Sequence, residues 1–283
     1  MEVLSSILRS IRAEGSVYFC DQVVVPWTKE FTNTDSANFH LIRQGNCWAT
    51  IDDQIEHLSA GDLIFLGPGV DHTISNQSNS KDHPNFTDDT LLLCGYCRFS
   101  DTNASPLLDV FPTSTIVRKE EFDQHPWLKR TFDQLGDEYM AQQPGSALIV
   151  DKLTEVILVE LIRINFGRET RHPFLEALND KRISRALHQL HNELERNWTL
   201  ETLAEEIGMS RAAFAKRFTE LVGQPMFSYL TSLRMQKAKK LLRESRLPVY
   251  EIANHTGYES DRAFTNAFKK QVGTTPNRFR NQK

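Results

Sequence analysis

The stretch GYESDRAFTNAFKK, Gly257 to Lys270, decides the fold of the C-terminal third, because the chain has already written a version of it upstream. GMSRAAFAKRF, Gly208 to Phe218, is the first copy. LAEEIGMSRAAFAKRFTELVG overlays IANHTGYESDRAFTNAFKKQVG with Ala204 on Ala253, Gly208 on Gly257, Phe214 on Phe264, Phe218 on Phe268 and Gly223 on Gly273. The second copy has one extra residue in its turn, and the rest stays in register.

Each copy carries the same physical instructions. A short helix ends at a Gly, which accepts the left-handed conformation a tight turn needs. Ser210 or Ser260 then stands where a hydroxyl can cap the next helix. Within that helix two Phe residues fall at i and i+4, on one face, and are expected to bury against the preceding helix. This is the layout of a helix-turn-helix, whose second helix enters the DNA major groove. With the Phe face inward, the outward face of the first copy holds Arg211, Ala212, Ala215, Lys216 and Thr219. That of the second holds Asp261, Arg262, Thr265, Asn266 and Lys269. Arg pairs bidentately with guanine and Asn with adenine, so Arg262 and Asn266 are the strongest base-reading candidates. Ala212 and Ala215 offer only apolar contact, and the second helix is expected to carry more of the polar readout.

Charge supports this division. Residues 171–283 carry 20 Lys+Arg against 12 Asp+Glu, whereas residues 1–170 carry 13 against 25. A basic back half suits a polyanion and an acidic front half does not. The opening MEVLSSILRSIRAEG lacks the basic-then-apolar order of a signal peptide and reads as a short amphipathic helix. The longest apolar run, SALIVDKLTEVILVELIRINF, is interrupted by Asp151, Lys152, Glu155, Glu160 and Arg163, which argues against a membrane span. Four cysteines in 283 residues do not make a disulfide scaffold. A soluble cytoplasmic protein is expected.

From about Val17 to Phe111, short β-rich runs such as FHLIRQGNCWATI, DLIFL and TLLLCGYCRF alternate with turn-rich stretches, as in an antiparallel sandwich or barrel. After Pro112 two helices follow, separated by QPGS, and FGRETRHPF reads as a linker. The second helix is apolar around most of its circumference. Two readings stand: one side packs on the barrel and the other on a second subunit, or the helix is buried within its own chain. The expected fold is multidomain α+β, with a β-barrel unit over 1–111, a helical and dimer-forming segment over 112–170, and an all-α DNA-binding unit over 171–283.

WTLETLAEEIGMSRAAFAKRFTELVGQPMFSYLTSLRMQKAKKLL followed by LPVYEIANHTGYESDRAFTNAFKKQVGTTPNRFR resembles the AraC/XylS-type transcription regulators over about the last 100 residues. The resemblance implies two helix-turn-helix motifs joined by a linker helix from Met226 to about Arg243, within which Arg234, Ala238 and Leu241 fall on the family pattern. It also implies double-stranded DNA and RNA polymerase as partners and activation as the outcome. Carried over by position, Ala212, Ala215, Lys216, Arg262 and Asn266 are the contact residues.

GDLIFLGPGVDHTISN, Gly61 to Asn76, resembles the second motif of cupin barrels, and with the preceding strands it is similar to the cupin sensor domain of one AraC-type subgroup. Metal-binding cupins present a His-x-His pair plus Glu, but here only His40 and His72 occupy such places, so they are weak ligand or metal candidates. No metal or other cofactor is expected. Cys94 and Cys97 lie three apart on a strand and should face opposite ways. Cys94 is instead expected to approach Cys20, and the subgroup resembles a reactive-chlorine-responsive regulator with cysteines at comparable places. Cys20, Cys94 and Cys97 are therefore redox-sensing candidates, with the reading as small buried hydrophobes left open. The input to the front unit is expected to be a small-molecule effector or an oxidant. The alternative function is a metal-dependent cupin enzyme whose helical C-terminus binds partners.

Overall fold

In the front half, β-branched and aromatic runs alternate with turns and form antiparallel strands, as the period-two pattern requires. In the computed structural model, which describes residues 2–11, 13–32, 35–78, 84–99, 113–167 and 172–281, these are β1 (Ala13–Val23), β2 (Thr28–Phe31), β3 (Ala37–Gln44), β4 (Asn46–Ile51), β5 (Gln54–Ser59), β6 (Leu63–Leu66), β7 (His72–Ser75), β8 (Thr90–Phe99) and β9 (Ser114–Val117). They make two sheets, in the orders β1-β8-β3-β6-β9 and β2-β7-β4-β5. The sheets enclose a core that includes Ile42, Cys47, Ala49, Leu58, Ile64, Leu66, Ile74, Leu92 and Cys94.

The outer face of the larger sheet is covered by helices of the same unit. These are α2 (Lys119–Asp123), α3 (Pro126–Ala141) and α4 (Ser146–Gly167). Phe39 of β3 meets Phe132 of α3 edge-on at 5.5 Å. Gly15 of β1 lies so close to Thr154 of α4 that a Cβ there would collide with it. One face of α4 is therefore buried within its own unit, through Val150, Thr154, Ile157, Leu158, Leu161 and Ile162. Leu148 and Ile149 remain exposed.

The second unit takes the helices from residue 172 onward: α5 (Pro173–Asn179), α6 (Lys181–Asn192), α7 (Leu200–Glu206), α8 (Arg211–Val222), α9 (Met226–Glu244), α10 (Val249–His255), α11 (Asp261–Val272) and α12 (Pro276–Asn281). It also takes the N-terminal helix α1 (Glu2–Ile11). Reading 1–111 as one unit did not foresee this. Val3 and Ile7 fall one turn apart on α1 and are buried, and the helix packs on α6 and α9. The expected boundaries at 111/112 and 170/171, and most of the linker after α4, lie outside the described residues. Among the described residues no helix is long and apolar enough to cross a membrane.

Candidate nucleic-acid interface and barrel site

Both helix-turn-helix units are built as their sequences instruct. Gly208 and Gly257 close the first helix of each pair with φ of 69° and 73°. Ser210 accepts a hydrogen bond from the Ala213 amide at 3.3 Å, and Ser260 from the Ala263 amide at 3.2 Å. Phe214, Phe218, Phe264 and Phe268 are fully buried. Within each helix the two rings touch, with centroids 5.5 Å apart in α8 and 5.7 Å in α11. Leu203 and Ala204 bury on one side of the first pair, Ile252 and Ala253 on the matching side of the second.

The opposite faces are open. On α8, Arg211, Ala212 and Lys216 are exposed and Ala215 is half-buried. On α11, Asp261, Arg262, Asn266 and Lys269 are exposed and Thr265 is half-buried. The cations of α8 have acidic neighbours: Arg211 pairs with Glu201 at 2.8 Å, and Lys216 lies 3.9 Å from Glu220. Beside them Arg217 bridges to Asp180 at 3.3 Å, and Asp180 also caps α6 by accepting from the amides of Arg182 and Ile183. Such exposed pairs are weak and yield readily to a phosphate.

In the barrel, His40 and His72 meet directly, Nε2 to Nε2 at 2.9 Å. The Nδ1 of His72 lies 3.0 Å from the Val70 carbonyl, so it carries the proton and donates. His72 Nε2 is then an acceptor, and His40 must donate through its own Nε2. This leaves His40 Nδ1 as a bare acceptor, buried with no partner. Phe31 stacks on His72 at 4.7 Å and tilts against His40 at 4.9 Å. Burial holds both imidazoles below their ordinary pKa, His40 far below with His72 beside it. The arrangement suits two neutral rings bonded to each other. Among the described residues no group of three or more His, Cys, Asp or Glu could hold a metal, so the pair does not fit the cupin ligand set.

The four cysteines form no disulfide and are all buried. Cys94 stands opposite His40 and Cys97 opposite Ala37 on β3, so the two point to opposite faces of the sheet. The expected approach of Cys94 to Cys20 is corrected by the register. Cys20 stands opposite Leu93 and Cys94 opposite Phe19, which directs their side chains to opposite faces. The Cys20 sulfur instead receives the Arg43 guanidinium at 3.9 Å on the face covered by α3, where Gly136 leaves room for Arg43. Burial raises the Cys20 pKa and Arg43 opposes the rise. Burial pushes Cys97 up to about 12, and Cys94 and Cys47 also upward. Cys47 was not singled out from sequence, yet it shares the barrel core with Cys94. Its alternation with Ala49 and Ile51 was the available signal.

Comparison with known proteins agrees with both halves. A family model described as Cupin matches residues 2–167, and one described as Helix-turn-helix domain matches residues 203–282. The chain belongs to the AraC-type transcription regulators. It is 28% identical to the HTH-type transcriptional regulator AlkR of Acinetobacter baylyi, over 100% of each chain. It is 26% identical to the RCS-specific HTH-type transcriptional activator RclR of Escherichia coli K12, over 86% of this chain and 83% of that one. Among solved structures, the DNA-binding domain of AdpA in complex with a target DNA is 32% identical and matches 36% of this chain and 90% of that one, with a TM-score of 0.34. The regulator thus combines a cupin-like domain with a DNA-binding helix-turn-helix domain.

Proposed function

We propose that this regulator reads duplex DNA with both α8 and α11, and that its barrel receives a signal and turns over no substrate. The observation that carries the reading is the burial of both Phe pairs, which leaves Arg262, Asn266 and Lys269 on one open face and Arg211, Ala212, Ala215 and Lys216 on the other. Arg262 and Asn266 read bases, with Asp261 and Thr265 beside them. Lys216 and Lys269 hold phosphate or base edges. Selection of binding sites from random duplexes tests this. Arg262→Ala relaxes preference at one position of the second half-site, and an unchanged preference contradicts the assignment.

The non-enzymatic reading of the barrel rests on its chemistry. Two neutral histidines bonded to each other supply neither a metal set nor a general acid–base pair. The input is an effector or an oxidant. Burial raises the pKa of Cys20, Cys94 and Cys97 alike, and Cys20, where the Arg43 guanidinium lies 3.9 Å from the sulfur and opposes the rise, is the first candidate. A reporter that responds to oxidant in wild type and not in Cys20→Ser supports oxidant sensing; equal responses reject it. The exposed Leu148 and Ile149 of α4 favour cover by a second copy, which sedimentation of the full chain tests. Recruitment of RNA polymerase in the cytoplasm completes the same reading.

A further inference from the structure

Two helices read a longer site only if something fixes the distance between them. The connection between α6 and α7, residues 193–199, leads directly into the first helix-turn-helix and is stiffened from within. The Trp198 indole donates to the Glu193 carbonyl at 3.0 Å, and the Arg196 guanidinium lies 4.0 Å over the Trp198 ring. Arg196 also pairs with Glu193 and with Glu206 at the end of α7. Into this connection reaches Arg234, from the middle of α9. Its Nε donates to the Leu194 carbonyl at 3.0 Å and its Nη2 to the Arg196 carbonyl at 2.9 Å.

The same guanidinium also meets the second helix-turn-helix. Arg234 lies 5.5 Å over the Tyr258 ring, and Tyr258 in turn meets Phe264 of α11 edge-on at 5.6 Å. At Gly257 the packing is tight enough that an added Cβ would collide with Arg234 and stand 2.8 Å from the Glu195 carbonyl. Two further links cross at the same place, Asn197 to Glu259 at 3.2 Å and Lys237 to Glu195 at 3.4 Å. One planar cation therefore joins a carbonyl pair at the entrance to the first motif to the turn that launches the second recognition helix.

We propose that Arg234 is a positioning residue that fixes the spacing and phase of α8 and α11, and so makes the regulator selective for the number of base pairs between its two half-sites. This rests on the reading that both helices contact DNA. One inserted base pair separates the half-sites by about 3.4 Å and turns them by about 34°. A rigid pair of helices cannot follow that change, whereas an unclamped pair can. Arg suits the task because its planar fork reaches two acceptors in fixed geometry, whereas the Lys ammonium is a compact point charge whose three donors rotate freely.

The test uses the full-length protein and the duplex that wild type selects from a random pool, together with versions carrying one base pair inserted or deleted between the half-sites. Wild type is expected to bind the altered spacings roughly tenfold more weakly. Arg234→Ala is expected to lose about threefold or less between spacings, and Arg234→Lys to fall between the two. A purely structural role lowers affinity for every spacing alike and leaves the ratio at the wild-type value; that result, with thermal melts showing both variants folded, overturns the proposal. A wild-type pool enriched for one half-site alone also overturns it, because the helices are then not used as a pair. Failure of wild type to enrich any sequence strikes at the DNA reading of the two helices, and the clamp falls with it.

Discussion

Replacing Phe264 by Ala removes the anchor that turns the face of α11 outward. Phe264 is fully buried in a cluster with Met235, Ala238, Leu242, Ile252, Ala253 and Phe268. Burying a Phe side chain is worth about 1.5–3 kcal/mol in transfer alone. Its ring also meets Tyr258 at 5.6 Å and Phe268 at 5.7 Å, and each aromatic pair adds about 0.5–1.5 kcal/mol. A cavity remains, since helix backbones flank the site and relax only in part. The sum points to a loss of about 4 kcal/mol, a large share of the roughly 5–15 kcal/mol that holds a domain. The loss is read by urea unfolding of the full chain, with Lys269→Ala on the open face as control, expected within about 0.5 kcal/mol. DNA affinity should fall with Phe264→Ala, because α11 is no longer seated, although Phe264 itself faces away from the groove. If Phe264→Ala cost no more than Lys269→Ala, the assignment of inner and outer faces would be refuted.

Ser260→Ala removes the cap of α11 and should cost about 1 kcal/mol, while Ser260→Gly should cost only a few tenths, both measured by the same unfolding series. Acid should weaken the DNA-binding unit through His191, half-buried and 2.7 Å from the Tyr229 hydroxyl, whose pKa burial lowers from 6.5 to about 4. The unfolded chain then takes up a proton that the folded one refuses. Stability is therefore unaffected above pH 6.5, falls between pH 6.5 and 4, and levels off below, for a total on the order of 3 kcal/mol. His191→Gln should flatten that slope, and an unchanged slope would assign the acid loss elsewhere. Cys47, Cys94 and Cys97, all buried with raised pKa, should resist iodoacetamide in the native protein at neutral pH and react on unfolding. Mass mapping of the alkylated cysteines checks this, and rapid native labelling of any of the three would show its strand to be open.

Local signals in the sequence placed the helix-turn-helix pairs. The glycine turns, the serine caps and the i, i+4 phenylalanines each act within a few residues, and all appear in the structure as written. The strand at Cys94 and Cys97 was equally legible, since alternation is local. What failed was information that depends on register between distant strands. Cys20 and Cys94 were expected to approach each other from separate strands; the strands do pair, but one residue of register separates facing from opposed. The direct bond between His40 and His72 has the same origin, for β3 and β7 lie in different sheets and their meeting depends on how the two sheets pack. The docking of α1 on α6 and α9 escaped notice because an amphipathic helix announces that it will bury a face and not which surface will cover it. Arg234 fitted a family pattern in the sequence, yet its two carbonyl partners lie 38 and 40 residues away and could not be read from it.

The most direct test of two-helix reading is methylation interference on the duplex that wild type selects. Two patches of major-groove guanine N7 contacts are predicted on one face of the DNA, one helical turn or about 10 base pairs apart. A single patch, or two patches on opposite faces, would contradict it.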